Sequence, residues 1–339
     1  MKVLSLFDGM SCGSIAFKKL NIKPEEYIAY EIDKNAIKST EFNFPKVKQM
    51  GDVFNADFSQ YKDIKYVVGG SPCTYWSICQ TTHRENKAEG LGWDLFCQYK
   101  RALLEAKPKY FIYENNDSMS QDIRNCINEE FGFEGTVFNS NTKSAQNRKR
   151  IFWVGKLNEQ GVYEKVDIPI PCDKGIKLKD VVNTSINTNG YYLSEEYFKG
   201  GFSSPLIGMT KNGEGKYRNH KQPSQQYRIY SCNDKSQVVN TLGNENYIIP
   251  VTNLENADDS VYKVYDGCIL IDGMPHSINL EDGYYIIRKL ILDELKQLQT
   301  VPEWYKFPVS DKQATKLLGN GWTVDIVCHI INYIENLDK

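Results

Sequence analysis

The first 157 residues alternate short apolar runs with helical patterns, and that alternation leaves few folds open. Val3–Phe7 is apolar and stops at Asp8-Gly9. Ile15, Ala16 and Leu20 then follow at helical spacing within 13–20. Tyr27–Ile32, Tyr66–Val68, Tyr110–Tyr113 and Ile151–Val154 read as further strands. Lys34–Phe42, Asp94–Ala106 and Ile123–Phe131 read as helices, the first capped by Asp33. Strands and helices in this order build a mostly parallel sheet with helices on both faces. Ligands of such sheets sit beyond the carboxyl ends of the strands. Phe7-Asp8-Gly9, Glu31, Gly70-Ser71-Pro72-Cys73 and Glu114-Asn115 all fall there.

After about residue 157 the texture changes. Residues 158–285 are rich in Asn, Gly, Ser, Tyr and Lys, with short β-like runs at Tyr247–Pro250 and Cys268–Ile271. Helical patterns return at Leu292–Thr300 and Thr323–Leu337. The expected organisation is a catalytic and cofactor-binding domain at 1–157, a smaller β-rich domain at 158–287, and a segment at 288–339 that returns to the first domain.

Charge decides what kind of nucleic-acid binder is possible. Lys and Arg number 41 against 43 Asp and Glu, a net charge of −2, so a uniformly basic binder is excluded and any contact must be local. Between Gly201 and Tyr230, Lys211, Lys216, Arg218, Lys221 and Arg228 face one acid, Glu214, a local net of +4. With 41% hydrophobic residues there is material for a sizeable core. No apolar run approaches the roughly 18 residues of a membrane span, and the N-terminus turns polar too soon for a signal-peptide core. The nine cysteines are irregularly spaced with no C-x-x-C pair, so no metal site is expected and most should be buried reduced thiols.

Taken singly, the strand-end motifs are weak. The Phe7–Gly13 turn carries two glycines, which suit close approach of backbone to a ligand. Glu31 stands where an acid can bind ribose hydroxyls, and Asp52 where an acid can accept from an adenine amino group. Cys73 sits in a rigid turn after a strand, where local dipoles or cations could activate a thiol. The polar stretch from Ser77 to Trp93 reads as a mobile loop. Glu114 could share a proton with a ring nitrogen. Arg148 and Arg150, two apart, can point the same way on an extended segment.

Together and in order, FDGMSCG, the acid of EID, GGSPC, YEN, QNRKR and LLGNGWTV resemble the DNA cytosine-5 methyltransferases, over about 1–157 and 288–339. The FDG and GNGW variants look most like the animal de novo branch and its phage and bacterial relatives. The resemblance implies a Rossmann-like, S-adenosylmethionine-dependent methyltransferase fold with a target-recognition domain at 158–287. It implies a cofactor pocket of Phe7, Gly9, Glu31, Ile32, Asp52, Val53 and Leu95, closed by Asn320 and Trp322. By the same resemblance Cys73 attacks cytosine C6, Glu114 binds N3 and the exocyclic amine, Arg150 holds O2, and Arg148 lies near the nucleophile. Ser77 and Cys79 of the loop, with Lys216, Arg218, Lys221 and Arg228, are the candidate DNA contacts. Ser11, Thr74 and Asn116 depart from the commonest family residues without removing a reacting group.

Two other readings stand beside this one. A transfer-RNA cytosine methyltransferase shares the fold but carries a very small recognition region and a Cys-Phe-Thr segment. Here that segment is missing and about 130 residues separate the motif blocks. A catalytically silent DNA-binding paralogue would have lost Cys73, Glu114 or Arg150, all of which are kept. The expected partners are double-stranded DNA and, in a restriction–modification pair, a cognate restriction endonuclease. The chain is expected to work as a monomer in the cytoplasm of a bacterial cell or phage-infected host.

Overall fold

The computed structural model describes residues 1–72, 75–77, 84–184, 196–197, 206–210, 217–218, 222–223, 227–243, 245–252, 254, 261–271 and 273–339. Two compact units divide the chain. The first holds Met1–Ser140, Lys149–Cys172 and Val301–Lys339; the second holds Asn141–Arg148 and Asp173–Thr300. The expected boundaries at 157 and 287 fall short of these divisions. β8 (Tyr163–Lys165) pairs with β7 (Lys149–Leu157) and keeps that stretch in the first unit, whereas the helix Leu292–Leu298 belongs to the second.

The first unit is built on one sheet. Its other strands are β1 (Lys2–Leu6), β2 (Glu26–Tyr30), β3 (Lys48–Gln49), β4 (Ile64–Gly69), β5 (Tyr110–Asn116) and β6 (Thr136–Asn139). The order is β3-β2-β1-β4-β5-β7-β6, with β8 also on β7. The first five of these strands are mutually parallel, as the strand–helix alternation requires. β7 runs antiparallel to β5, and β6 and β8 run antiparallel to β7.

Seven α-helices occur among the described residues: α1 (Cys12–Lys19), α2 (Lys34–Asn43), α3 (Leu91–Ala106), α4 (Gln121–Phe131), α5 (Leu292–Leu298), α6 (Asp311–Asn320) and α7 (Val324–Leu337). Alternate residues of β4 meet different helices. Tyr66 packs on Phe17 of α1 with ring centroids 5.6 Å apart, while Val67 joins the cluster of Phe96 and Tyr99 on α3. Both faces of the sheet are thus covered, and the parallel strands are almost wholly buried. α1 packs against α7, and α2 against α6. None of these helices is long and apolar enough to cross a membrane.

Several edges differ from the sequence expectation. β1 ends at Leu6, because Phe7 takes a left-handed backbone at φ 56°. β5 runs through Asn116, so Glu114 and Asn115 lie inside the strand; β7 pairs with it as far as Asn116, opposite Arg150. α3 starts at Leu91 rather than at Asp94.

The second unit carries a sheet of the order β17-β16-β15-β18-β14-β13-β10-β9. Its strands are β9 (Glu196–Tyr197), β10 (Leu206–Thr210), β13 (Arg228–Ser231), β14 (Asn246–Pro250), β15 (Val261–Tyr265), β16 (Cys268–Ile271), β17 (Met274–Ser277) and β18 (Gly283–Arg288). Between β10 and β13, β11 (Tyr217–Arg218) and β12 (Gln222–Pro223) pair separately. All ladders of the large sheet are antiparallel except β13 on β14. Its core gathers Ile229, Ile248, Val264, Ile269, Tyr285 and Ile287. α5 is tied to β18 by a fully buried pair: Arg288 donates to both carboxylate oxygens of Glu294, at 2.8 and 2.7 Å.

Candidate active site

The turn after β1 sets the first part of the site. Phe7, Gly9 and Ser11 all take left-handed backbone, at φ 56°, 56° and 57°. For the two non-glycine residues that conformation costs roughly 1–2 kcal/mol each, so surrounding bonds must hold the turn. Asp8 supplies several. Its Oδ1 accepts from the Ser5 hydroxyl at 2.6 Å and from the Tyr27 phenol at 2.9 Å, and its Oδ2 from the Ser11 hydroxyl. Burial pushes the Asp8 carboxyl up to about 6, against the pull of those three hydroxyls. From the return segment, Tyr305 donates its phenol to the Met10 carbonyl at 2.9 Å.

That turn presents Gly9 N–H to Glu31, whose Oε2 accepts it at 2.7 Å. Glu31 Oε1 accepts from the N–H groups of Ile32 and Asp33, both at 2.8 Å. The carboxylate is therefore fixed just beyond β2. Beside it, Ile32 is left 69% exposed. Asp52 caps the short turn Val53–Asn55 by accepting from Phe54 N–H at 3.0 Å, and Val53 is buried beneath it. Leu95 packs on the core from α3. Asn320 is the exposed last residue of α6, and Trp322 follows two residues on.

Glu114 forms the second part. The residue is 8% exposed. Arg150 Nε stands 3.2 Å from Oε1, and the Trp322 indole N–H donates to Oε2 at 2.9 Å. Gly70 leaves the room: a Cβ there would lie 2.8 Å from Oε2 and 2.5 Å from the Glu114 carbonyl oxygen. Below the same turn Ser71 shares a hydrogen bond with the Tyr113 phenol at 2.6 Å, and Asn115 Nδ2 donates to the Ser71 carbonyl at 3.1 Å. All three are buried, so the chain is fixed up to Ser71, two residues before Cys73. Cys73 itself lies outside the described residues, as does Cys79.

The loop expected to be mobile has anchored stems. Trp76 is fully buried and donates to Glu85 Oε2 at 3.1 Å, and Glu85 Oε1 accepts from Gly92 N–H at 3.2 Å. Arg84 donates to the carbonyls of Trp76 and Ser118 at 3.3 and 2.8 Å. Ser77 is half-buried beside this knot, and residues 78–83 lie outside the described residues.

Arg150 stands beside Glu114, whereas Arg148 is anchored elsewhere, at the Val239 carbonyl. Arg148 precedes β7, is 3% exposed, and donates to the Val239 carbonyl at 3.1 Å within the second unit. Of the candidate DNA contacts, Arg228 lies in β13, half-buried, with Nη1 3.4 Å from the Tyr230 hydroxyl. Arg218 lies in β11. Lys216 and Lys221 fall outside the described residues.

Sequence reading assigned no site-building part to Tyr27 and Tyr305, and placed Ser71 and Asn115 at strand ends without giving either a role. Each acts through a bond to a residue distant in sequence, and apolar periodicity carries no trace of such bonds. It also passed over α6, whose signal was present in Ala314, Leu317 and Leu318 behind Ser310-Asp311.

The C-5 cytosine-specific DNA methylase family matches residues 1–336. The chain is 25% identical to the type II methyltransferase M.NgoPII of Neisseria gonorrhoeae, over 99% of this chain and 95% of that one. It is 27% identical to the type II methyltransferase M.Bsp6I of a Bacillus species, over 100% and 99%. The fold is similar to that of S. pombe Dnmt2 methyltransferase, with a TM-score of 0.60, 16% identity and full coverage of both chains. The chain belongs to the C-5 cytosine-specific DNA methylase family and is a DNA cytosine-5 methyltransferase.

Proposed function

We propose that the chain methylates C5 of a cytosine within a specific duplex DNA sequence, through an adduct between Cys73 and C6 of the base. The observation that carries this reading is the buried Glu114 carboxylate bracketed by Arg150 and Trp322. A carboxyl group so placed can share a proton with cytosine N3 and accept from its exocyclic amine, which makes C6 electrophilic. Arg150 is next to it and suits O2. The Cys73 thiolate adds to C6. After C5 has gained the methyl group, a base takes the C5 proton and the thiolate leaves. The target base has to swing out of the duplex to reach these groups.

The family uses S-adenosylmethionine, which when bound supplies the methyl group. The residues present fit it. Glu31 is held by three backbone N–H groups, leaving acceptor capacity for ribose hydroxyls. The bare Ile32 side chain next to it offers an apolar wall for the adenine, and Asp52 and Val53 lie beyond the neighbouring strand end. Phe7, Gly9, Leu95, Asn320 and Trp322 complete the proposed pocket. Recognition of the DNA sequence is assigned to 158–287, with Lys216 and Lys221 on phosphates, and Ser77, Cys79, Arg218 and Arg228 as further contacts.

The test is to incubate the protein with labelled S-adenosylmethionine and plasmid DNA, then to map methylated cytosines by bisulfite sequencing. Methylation at one recurring sequence is expected. Cys73→Ser should abolish turnover while cofactor affinity, read by calorimetry, stays near wild type. Turnover near wild type in that variant would remove the assignment. Methyl transfer to transfer RNA but not to duplex DNA would overturn the substrate.

A further inference from the structure

Asp8 is a buried polar group of the first unit that the proposed chemistry does not use. Its carboxylate accepts from three hydroxyls on three parts of the fold: Ser5 inside β1, Ser11 just before α1, and Tyr27 on β2. The arrangement depends on a missing side chain, because a Cβ on Gly13 would stand 2.5 Å from the Tyr27 hydroxyl. A second tie comes from α2, where Thr40 Oγ1 donates to the Ser11 hydroxyl at 3.2 Å and to the Gly9 carbonyl at 3.4 Å. Between these ties lies the left-handed turn 7–11, and its product is a single N–H, that of Gly9, delivered to Glu31.

We propose that Asp8 is the positioning residue of the cofactor site. Its carboxylate, gripped by Ser5, Ser11 and Tyr27, holds the 7–11 turn in the shape that lets Gly9 fix Glu31. Asp8 need not touch the cofactor, since it is buried behind the turn. It acts as an acceptor only, so the charged form is the working form. Protonation turns one of its oxygens into a donor and sets it against the Ser11 hydroxyl. The charged and titratable groups facing it are Glu31 beyond β2, Tyr27 on β2 and Tyr305 from the return segment. Burial brings the Asp8 carboxyl to about 6, so its charge changes between pH 7.5 and pH 5.

This inference rests on the S-adenosylmethionine reading above, and the test separates the two. Cofactor affinity is measured without DNA, by calorimetry at pH 5 and pH 7.5, for wild type, Asp8→Asn and Tyr27→Phe, with thermal melts on each. At pH 7.5 Asp8→Asn should bind about tenfold more weakly than wild type. Tyr27→Phe should bind about three- to fivefold more weakly, because Ser5 still satisfies Oδ1. On lowering the pH to 5 the wild type should weaken toward the Asp8→Asn value, while that variant stays flat. In steady state the KM for the cofactor should rise while kcat and the KM for DNA hold. Wild type that fails to bind S-adenosylmethionine overturns both readings. Wild type that binds, with Tyr27→Phe unchanged or with the same pH response in Asp8→Asn, overturns this one alone. If Asp8→Asn does not fold, Tyr27→Phe and the wild-type pH response decide it.

Discussion

The indole N–H of Trp322 and the carboxylate of Glu114 are joined across 2.9 Å, although 208 positions separate them in the chain. One residue was expected on the cofactor wall and the other on the target base. Their bond means that the return segment sets the orientation of Glu114. Arg150 holds the other oxygen, so both ends of the carboxylate are fixed.

Trp322→Phe separates the bond to Glu114 from the proposed cofactor contact. The ring still offers an apolar surface, but the donor is gone. A hydrogen bond to a charged group contributes about 1.5–3 kcal/mol. Turnover should therefore fall by roughly ten- to a hundredfold, with cofactor affinity within about threefold of wild type. Single-turnover kinetics and calorimetry on the same preparation check both halves. A fall in affinity with normal turnover would place Trp322 on the cofactor alone.

Gly70→Ala should damage the site from the other side. The new methyl group would press on the carbonyl oxygen of Glu114 and on Oε2, and the first is backbone that cannot swing away. Overpacking of this kind costs about 1–3 kcal/mol. The variant should melt several degrees lower and lose most of its activity, whereas alanine at the open, solvent-side Gly161 serves as the comparison, strained only by its φ of 79°.

In the second unit the buried Arg288–Glu294 pair gives a sharp expectation. Glu294 also accepts from the N–H groups of Ile291 and Asn183, each at 2.9 Å. Glu294→Ala would strand a buried guanidinium and two donors, at about 3–5 kcal/mol. Urea unfolding should show the loss. Replacing both partners with apolar residues of similar volume should recover a good part of it.

The C-terminal helix α7 should loosen in acid through Asp338. Burial pushes its carboxyl up, but bonds from Lys109, Tyr110 and Lys65 outweigh burial and bring it from 3.8 down to about 2. A carboxyl depressed by folding stabilises above its unfolded value and loses that contribution as pH falls through the folded one. The wild type should thus lose more stability between pH 4 and pH 2 than Asp338→Asn does. Urea midpoints at the two pH values give the difference.

What the sequence made legible follows from how local each signal is. β1, α1, β2, α2 and β4 were readable because apolar runs stand between Asp, Gly and Asn breaks. Glu114 and Asn115 looked like a strand end because they are polar. They remain in β5 because β7, from beyond the next helix, pairs alongside them. The order and kind of the motifs pointed to Glu114, Arg150 and Trp322, yet not to the bond between Trp322 and Glu114. Tyr27 was read only as an apolar strand residue, although its hydroxyl is what reaches Asp8. In the second unit the strands are short, and three of the seven ladders of its large sheet join strands that are not consecutive, so only fragments such as Tyr247–Pro250 stood out.

The return of Val301–Lys339 to the first unit has a consequence for the enzyme's birth. Chains fold from the N-terminus as the ribosome releases them. β1, α1 and β2 emerge early, but Met10 waits for Tyr305, Glu114 waits for Trp322, and Lys65 waits for Glu335. A nascent chain therefore carries Glu114 and Arg150 long before the Trp322 donor that orients the carboxylate has been made. A stop between Arg150 and Trp322 releases a protein that has Glu114 and Arg150 but not the donor that orients the carboxylate. DNA modification must therefore wait until the chain has been made through Trp322.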